Sequence, residues 1–162
     1  ASERGQNVNF AIPITLVDEL LPDLLEHGRV IRPWHGVYGR PVPPILQFTM
    51  GLPPGMLIET IEPGSPAESV GLRGGTFPIM IGLDEYLLGG DIIREVNATP
   101  LVDLDTILEV VRAFRVGDRV NVKYWRDGTI READVLLPER PVLPGDGFRF
   151  REQGHAGASQ AR

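Results

Sequence analysis

The sequence predicts a mainly β domain with two or three short helices, of the α+β class. Three observations carry that expectation. Glycine (19 residues) and proline (15) are abundant in a chain of 162, which favours many turns and short strands. Short apolar runs rich in β-branched and aromatic residues, bounded by Gly, Pro, Asn or Asp, recur between Val37 and Leu137. Helix starts are few: one from Thr15, one at Ser65 and one at Asp103.

The elements follow in order. Val8 to Ile12 alternates as a short strand and is stopped by Pro13. From Thr15 the apolar spacing becomes helical, with Leu16, Val17, Leu20, Leu21, Leu24 and Leu25 on one stripe. Pro22 should kink that helix or break it into two short pieces, and Gly28 should end it. Val37 and Tyr38 begin the first strand of the main domain, and Ile45 to Met50 is short and apolar, helical or irregular. Met56 to Ile61 is nearly all apolar, so a strand buried on both faces is expected.

Ser65 caps a short helix, with Pro66 first, Glu68 three residues after the cap and Gly71 at the stop. Phe77 to Ile81 and Tyr86 to Leu88 read as a hairpin turned by Gly82 to Glu85. Ile92 to Val96 is another strand, and Asn97 to Pro100 a turn. Asp103 caps the best helix, Leu104 to about Phe114, whose apolar stripe is wider than one core contact needs. Val120 to Trp125 and Ile130 to Leu137 form a final hairpin around Asp127-Gly128. Beyond Pro138 periodicity is lost, and 142–162 reads as a flexible tail.

Composition removes several function classes. The net charge of −6 argues against nucleic acid or an anionic membrane as partner. Without cysteine there is no disulfide, thiol catalysis or thiolate metal site. No run approaches the ~18 apolar residues of a membrane span, and no signal peptide is visible. The first residues read as mid-protein sequence, so a fragment of a longer chain is expected. Catalysis finds no support: Ser2, Ser65, Ser69 and Ser159 lack a glycine-rich elbow, and Ser65 is explained as a cap. His27, His35 and His155 are scattered and lack a metal-ligand pattern. No catalytic residue, metal or cofactor is expected.

The stretch Arg32-Pro33-Trp34-His35-Gly36-Val37 carries the functional reading. Proline and glycine around two rings make a tight turn whose successive N–H groups can form an anion nest. With a strand edge after it, such a turn can receive a peptide C-terminus, carboxylate in the nest and backbone added to the sheet.

Taken together, the segments resemble the PDZ module of an HtrA/Deg-type trypsin-like serine protease with the end of its protease domain attached. Asn9 to Ile14 resembles the last protease strand, and Glu26 to Trp34 the linker into the PDZ domain. Pro63-Gly64-Ser65-Pro66-Ala67 with Gly71-Leu72, Gly90-Asp91-Ile92-Ile93, and Arg126-Asp127-Gly128 resemble three further family segments, in family order. The resemblance covers roughly 8–141. Two features depart from it: the hairpin within 73–89, and His35 where the loop usually carries an aliphatic residue.

The resemblance implies a circularly permuted, PDZ-like, partly open barrel or sandwich over 32–141, with 1–31 as protease strand and linker. It implies a peptide groove formed by Trp34, His35, Gly36, Val37 and Tyr38 on one side and Thr106, Ile107, Val110 and Val111 on the other. Trp34 could be a groove wall or a plug in the domain floor. The His35 ring could protonate in the nest and strengthen carboxylate binding, but the preferred expectation is a ring in solvent with only its backbone in the loop. The implied partners are C-terminal peptides of substrate or misfolded proteins, the chain's own protease domain and neighbouring subunits. The implied location is the periplasm or cell envelope. Two functions remain open: a peptide-reading module that regulates the protease, or an assembly module that contacts a neighbouring subunit.

Overall fold

The computed structural model describes residues 21–22, 25–28 and 30–142. The expected strand at 8–12, most of the lead-in helix and the tail beyond 142 lie outside the described residues. Of that helix, residues 21–22 and 25–27 are helical, and Gly28 takes the left-handed φ of 69° expected of its stop.

Eight strands and three helices make up the described domain: β1 Val37–Pro41, α1 Pro44–Met50, β2 Met56–Ile61, α2 Pro66–Ser69, β3 Phe77–Ile81, β4 Asp84–Leu88, β5 Ile92–Val96, β6 Thr99–Pro100, α3 Leu104–Ala113, β7 Arg119–Arg126 and β8 Thr129–Leu136. The main sheet runs β1-β2-β5-β7-β8, all antiparallel neighbours, with β6 paired to β5. The sheet stays open. β1 lies at its end, so one edge of β1 is not taken by a strand of this sheet. β3 and β4 form a separate two-stranded sheet.

Side-chain alternation puts a core on each face of the main sheet. Ile58, Ile93 and Tyr124 face the larger core, which holds Ala67 and Leu72 from the α2 region and Ile107 of α3. Their neighbours Leu57, Ile92 and Trp125 face the smaller core, with Leu46 of α1 and Leu88 of β4. Leu57 and Ile58 are consecutive, and both are buried. The double burial expected from the β2 sequence is therefore met by one core per face.

The hairpin turn differs from the expectation. Asp84 and Glu85 are strand residues, paired with Ile81 and Met80, and the turn is only Gly82-Leu83. Gly82, at φ 63°, reverses the chain in two residues, so no longer loop is needed. Asn97 to Pro100 differs in the same way. Asn97 (φ 48°) and Ala98 (φ 66°) alone make the turn, and Thr99 and Pro100 return as β6. The hairpin is fastened to the first strands by Arg40. Its guanidinium bonds the Glu59 carboxylate at 3.0 Å through both Nε and Nη2, bonds the Glu85 carbonyl, and lies 3.9 Å from the Tyr86 ring centroid. Glu59 in turn accepts the Leu87 N–H at 3.1 Å.

Candidate functional site

The turn before β1 is held from behind by its carbonyls. The Trp34 N–H donates to the Pro138 carbonyl at 2.8 Å, and the Arg140 N–H to the Arg32 carbonyl at 2.8 Å. The His35 carbonyl accepts from the Ala67 N–H at 3.1 Å, and the Gly36 carbonyl from the Glu62 N–H at 2.8 Å. In a trans peptide the C=O and the following N–H point opposite ways. With the His35 and Gly36 carbonyls turned into the domain, the N–H groups of Gly36 and Val37 point the other way. This is how a nest is built.

Gly36 permits it. Its φ is 76°, and a Cβ there would lie 2.0 Å from the Ser65 Cβ. Ser65 cannot easily move, because it is buried and accepts the Glu68 N–H at 3.3 Å as the cap of α2. Glu68 completes the cap by accepting the Gly64 N–H at 2.6 Å.

Beside this turn lies an apolar cavity of about 60 Å³. It is lined by His35 and Val37 from the turn, and by Ile107, Val110, Val111 and Phe114 from α3 and its C-terminal cap. The spacing 107, 110, 111, 114 is one face of a helix. Its floor is the larger core, through residues such as Met56, Val96 and Leu101. A groove between an open strand edge and a helix, closed at one end by a nest, can hold an extended chain terminus with an apolar last side chain.

Five of the nine residues expected at the site, His35, Val37, Ile107, Val110 and Val111, line this cavity, and Gly36 shapes the turn beside it. Trp34, Tyr38 and Thr106 do not line it. The Trp34 indole N–H donates to Glu62 Oε2 at 2.6 Å, which ties this ring to the residue after β2. Tyr38 follows Val37 on the strand and so faces the other way, 48% exposed. Thr106 is bound to the helix cap, its N–H and hydroxyl both donating to Asp103 Oδ1 at 2.8 and 2.7 Å. Those bonds hold the Asp103 carboxyl below its ordinary value, led by the one from the Thr106 N–H.

Two contributors escaped the sequence reading. Phe114 was visible as the end of the helical stripe. Glu62, which also lies 3.7 Å from the Arg140 guanidinium, had no local signal.

The His35 ring is not in solvent, contrary to the preferred expectation. It turns back over its own loop, and Nδ1 accepts the Val37 N–H at 3.0 Å. The ring meets Phe114 edge-on, with centroids 6.4 Å apart at 63°. Packing against Phe114 and the bond to Val37 outweigh the hydration the ring would gain outside. Burial pushes the His35 pKa below its ordinary 6.5; Glu62 opposes this and Arg140 adds to it.

The sign for stability follows. The folded state prefers the neutral ring, so this contribution is complete above pH 6.5 and is lost as pH falls through the lowered folded value. Thermal melts between about pH 8 and pH 5 should show wild type losing more stability toward acid than His35→Asn, whose side chain does not titrate.

A PDZ-domain family pattern matches residues 36–137, and the chain belongs to that family. The relatives are serine endoproteases of the DegP, DegS and HtrA type. A probable periplasmic serine endoprotease, DegP-like, of Rhizobium meliloti (strain 1021) is 27% identical over 165 residues, covering 96% of this chain and 30% of that protein. The corresponding protein of Marinomonas sp. (strain MWYL1) is 31% identical, covering 85% of this chain and 26% of that one. Among solved structures, the HtrA-type protease AlgW with a decapeptide superposes with a TM-score of 0.62 at 26% identity, covering 85% of this chain and 38% of that one. The chain thus spans about a third of the length of these relatives.

Proposed function

We propose that this domain binds the C-termini of polypeptides and regulates a trypsin-like serine endopeptidase carried elsewhere in the full-length protein. The carrying observation is the conjunction of an open β1 edge, an apolar cavity against α3, and a turn whose Gly36 and Val37 N–H groups point away from the domain. The ligand's backbone would extend the sheet at β1. Its last side chain would enter the cavity and its carboxylate would sit in the nest. HtrA-type proteases have been solved with tri- and decapeptides, which supports a peptide as the ligand class. The relatives' names support the periplasm as location. On this reading the natural ligands are apolar tails of misfolded or substrate proteins, whose last side chain the apolar cavity would take.

The test is a Trp fluorescence titration with short peptides ending in Val, Leu or Phe, each as free acid and as amide. Trp34, bonded to Glu62 behind the turn, should report binding, with Trp34→Phe as the control for Trp125. The acids should saturate the signal and the amides should bind at least tenfold more weakly, the loss of a charge-assisted bond worth about 1.4 kcal/mol or more. Equal affinity for acid and amide would remove the carboxylate from the reading.

A second reading is favoured by the hairpin. Phe77, Met80 and Leu83 are 68%, 62% and 98% exposed, an apolar display suited to a neighbouring subunit. Concentration-dependent association in sedimentation, abolished by deleting 76–88, would establish the assembly role.

A further inference from the structure

The turn that would receive a carboxylate already contains an acceptor. Val37 N–H is one of the two nest donors set by the turn's geometry, and it donates to His35 Nδ1 at 3.0 Å. A nitrogen that accepts a hydrogen bond carries no proton, so this ring is neutral with its hydrogen on Nε2. A single N–H bonds well to one acceptor in line, and so a ligand carboxylate and the imidazole compete for it. We infer that His35 is an internal competitor of the ligand: the neutral ring occupies the Val37 N–H, and protonation at Nδ1 releases that donor and turns the ring into a cation beside the incoming carboxylate. This rests on the carboxylate-binding reading of the turn, and it adds to that reading a regulation by proton concentration.

The surroundings fit a single switch. Among the described residues lining the cavity, His35 is the one with a titratable side chain. The others on α3, β5, β7 and β8 are apolar: Ile107, Val110, Val111, Ile93, Val122 and Val135 among them. Phe114, at the end of α3, offers an aromatic ring and no charge. Two charged groups act on the ring from outside the cavity, Glu62 after β2 favouring the cation and Arg140 after β8 opposing it. In the free domain, burial holds the ring neutral and the nest partly taken. A bound carboxylate favours the cation. Binding therefore takes up a proton from solvent onto Nδ1, and affinity rises as pH falls from the pKa of the complex toward that of the free domain. A peptide carboxyl stays ionised throughout, its own pKa being about 3.5.

The experiment uses the whole chain and a peptide with a free C-terminal Val, titrated at about pH 7.5 and about pH 5.5. Wild type should bind several-fold tighter at the lower pH; one unit of pKa difference between free and bound ring sets a limit of about tenfold, reached only below the pKa of the free domain. His35→Asn keeps a non-titrating acceptor for the N–H two residues on, so its affinity should stay at the weak level and be flat with pH. His35→Val removes the acceptor and should bind tighter than wild type at pH 7.5, again without pH dependence.

A purely structural histidine would predict the reverse, weaker binding on replacement. Nitrogen-15 NMR of the unliganded wild type provides a readout that needs no variant. The His35 ring should titrate from the Nε2–H form, and the Val37 amide should shift in the same step. Acid peptide binding that is saturable but flat with pH in wild type, or a Val37 amide that ignores the ring's titration, overturns this inference and leaves the peptide-binding function standing. No saturable binding of the acid in any variant at either pH overturns both.

Discussion

Replacing Asp91 with alanine should cost the domain about 3–5 kcal/mol, the usual penalty for removing one partner of a buried ion pair. Asp91 is 1% exposed. Its carboxylate takes Arg126 in a two-pronged bond, Nε to Oδ1 and Nη2 to Oδ2, both at 2.7 Å. Oδ2 also accepts the Arg73 N–H at 2.8 Å. The backbone of the same residue joins β2, its carbonyl accepting the Ile58 N–H at 2.9 Å. Arg126 reaches on to the Gly71 carbonyl at 2.7 Å, so one pair fastens the end of α2, the entry to β5 and the end of β7. The bond to Asp91 raises the Arg126 pKa further above its already high value, so the guanidinium stays charged at any working pH.

Alanine at 91 leaves that cation and the Arg73 N–H without their carboxylate. For a domain of this size the loss is about a third of total stability, and the melting temperature should fall by about 15 °C or more. Calorimetry of Asp91→Ala checks the number. A loss below about 1 kcal/mol would mean that Gly71 and water satisfy Arg126 alone. The double replacement Asp91→Leu with Arg126→Met should be milder than Asp91→Ala, because no charge is left buried.

Gly36→Ala should abolish peptide binding and destabilise the domain by about 1–3 kcal/mol. The two effects have different origins. The left-handed backbone at φ 76° costs an L-residue energy in any surroundings. The added methyl would meet the Ser65 Cβ at 2.0 Å and Oγ at 2.3 Å. Either response, a rotated peptide or a displaced turn, swings the Gly36 and Val37 N–H groups out of their common direction. Binding is read by the acid-peptide titration and stability by urea melts. Adding Ser65→Gly to Gly36→Ala relieves the clash but not the backbone strain. The double variant should recover part of the stability and little of the affinity. Full recovery of binding would show that the turn does not depend on its backbone angle.

Much of the domain was legible because the signals are local. Ser65 before Pro66, with Glu68 three residues on, announces a cap, and the cap is formed. Asp103 before Leu104 does the same for α3. Asp127-Gly128 requires a tight reversal, and β7 and β8 pair around it from Arg126–Thr129 to Arg119–Leu136. The apolar doublets Leu57-Ile58 and Ile92-Ile93 announce strands with a core on each face. The family resemblance, together with the turn pattern and the helical stripe, pointed to His35, Val37, Ile107, Val110 and Val111, and these five line one cavity.

What the chain alone left open are choices made between distant residues. Nothing near Asp91 shows that its partner is Arg126, thirty-five positions later. Nothing near Trp34 shows that its indole N–H is spent on Glu62, twenty-eight positions later. His35 is the clearest instance. Its own neighbours allow the ring in solvent or over the loop, and the two rotamers differ by little in an isolated turn. Phe114, seventy-nine positions later, is brought beside it by α3, and the Val37 N–H is presented by a peptide plane that Glu62 holds from behind. Local propensity and periodicity, which depend on near neighbours, therefore determined the elements, while the expected groove came from the family resemblance. Only the packed tertiary structure, where long-range contacts compete for the same donors, decided that the Val37 N–H is taken by the His35 ring.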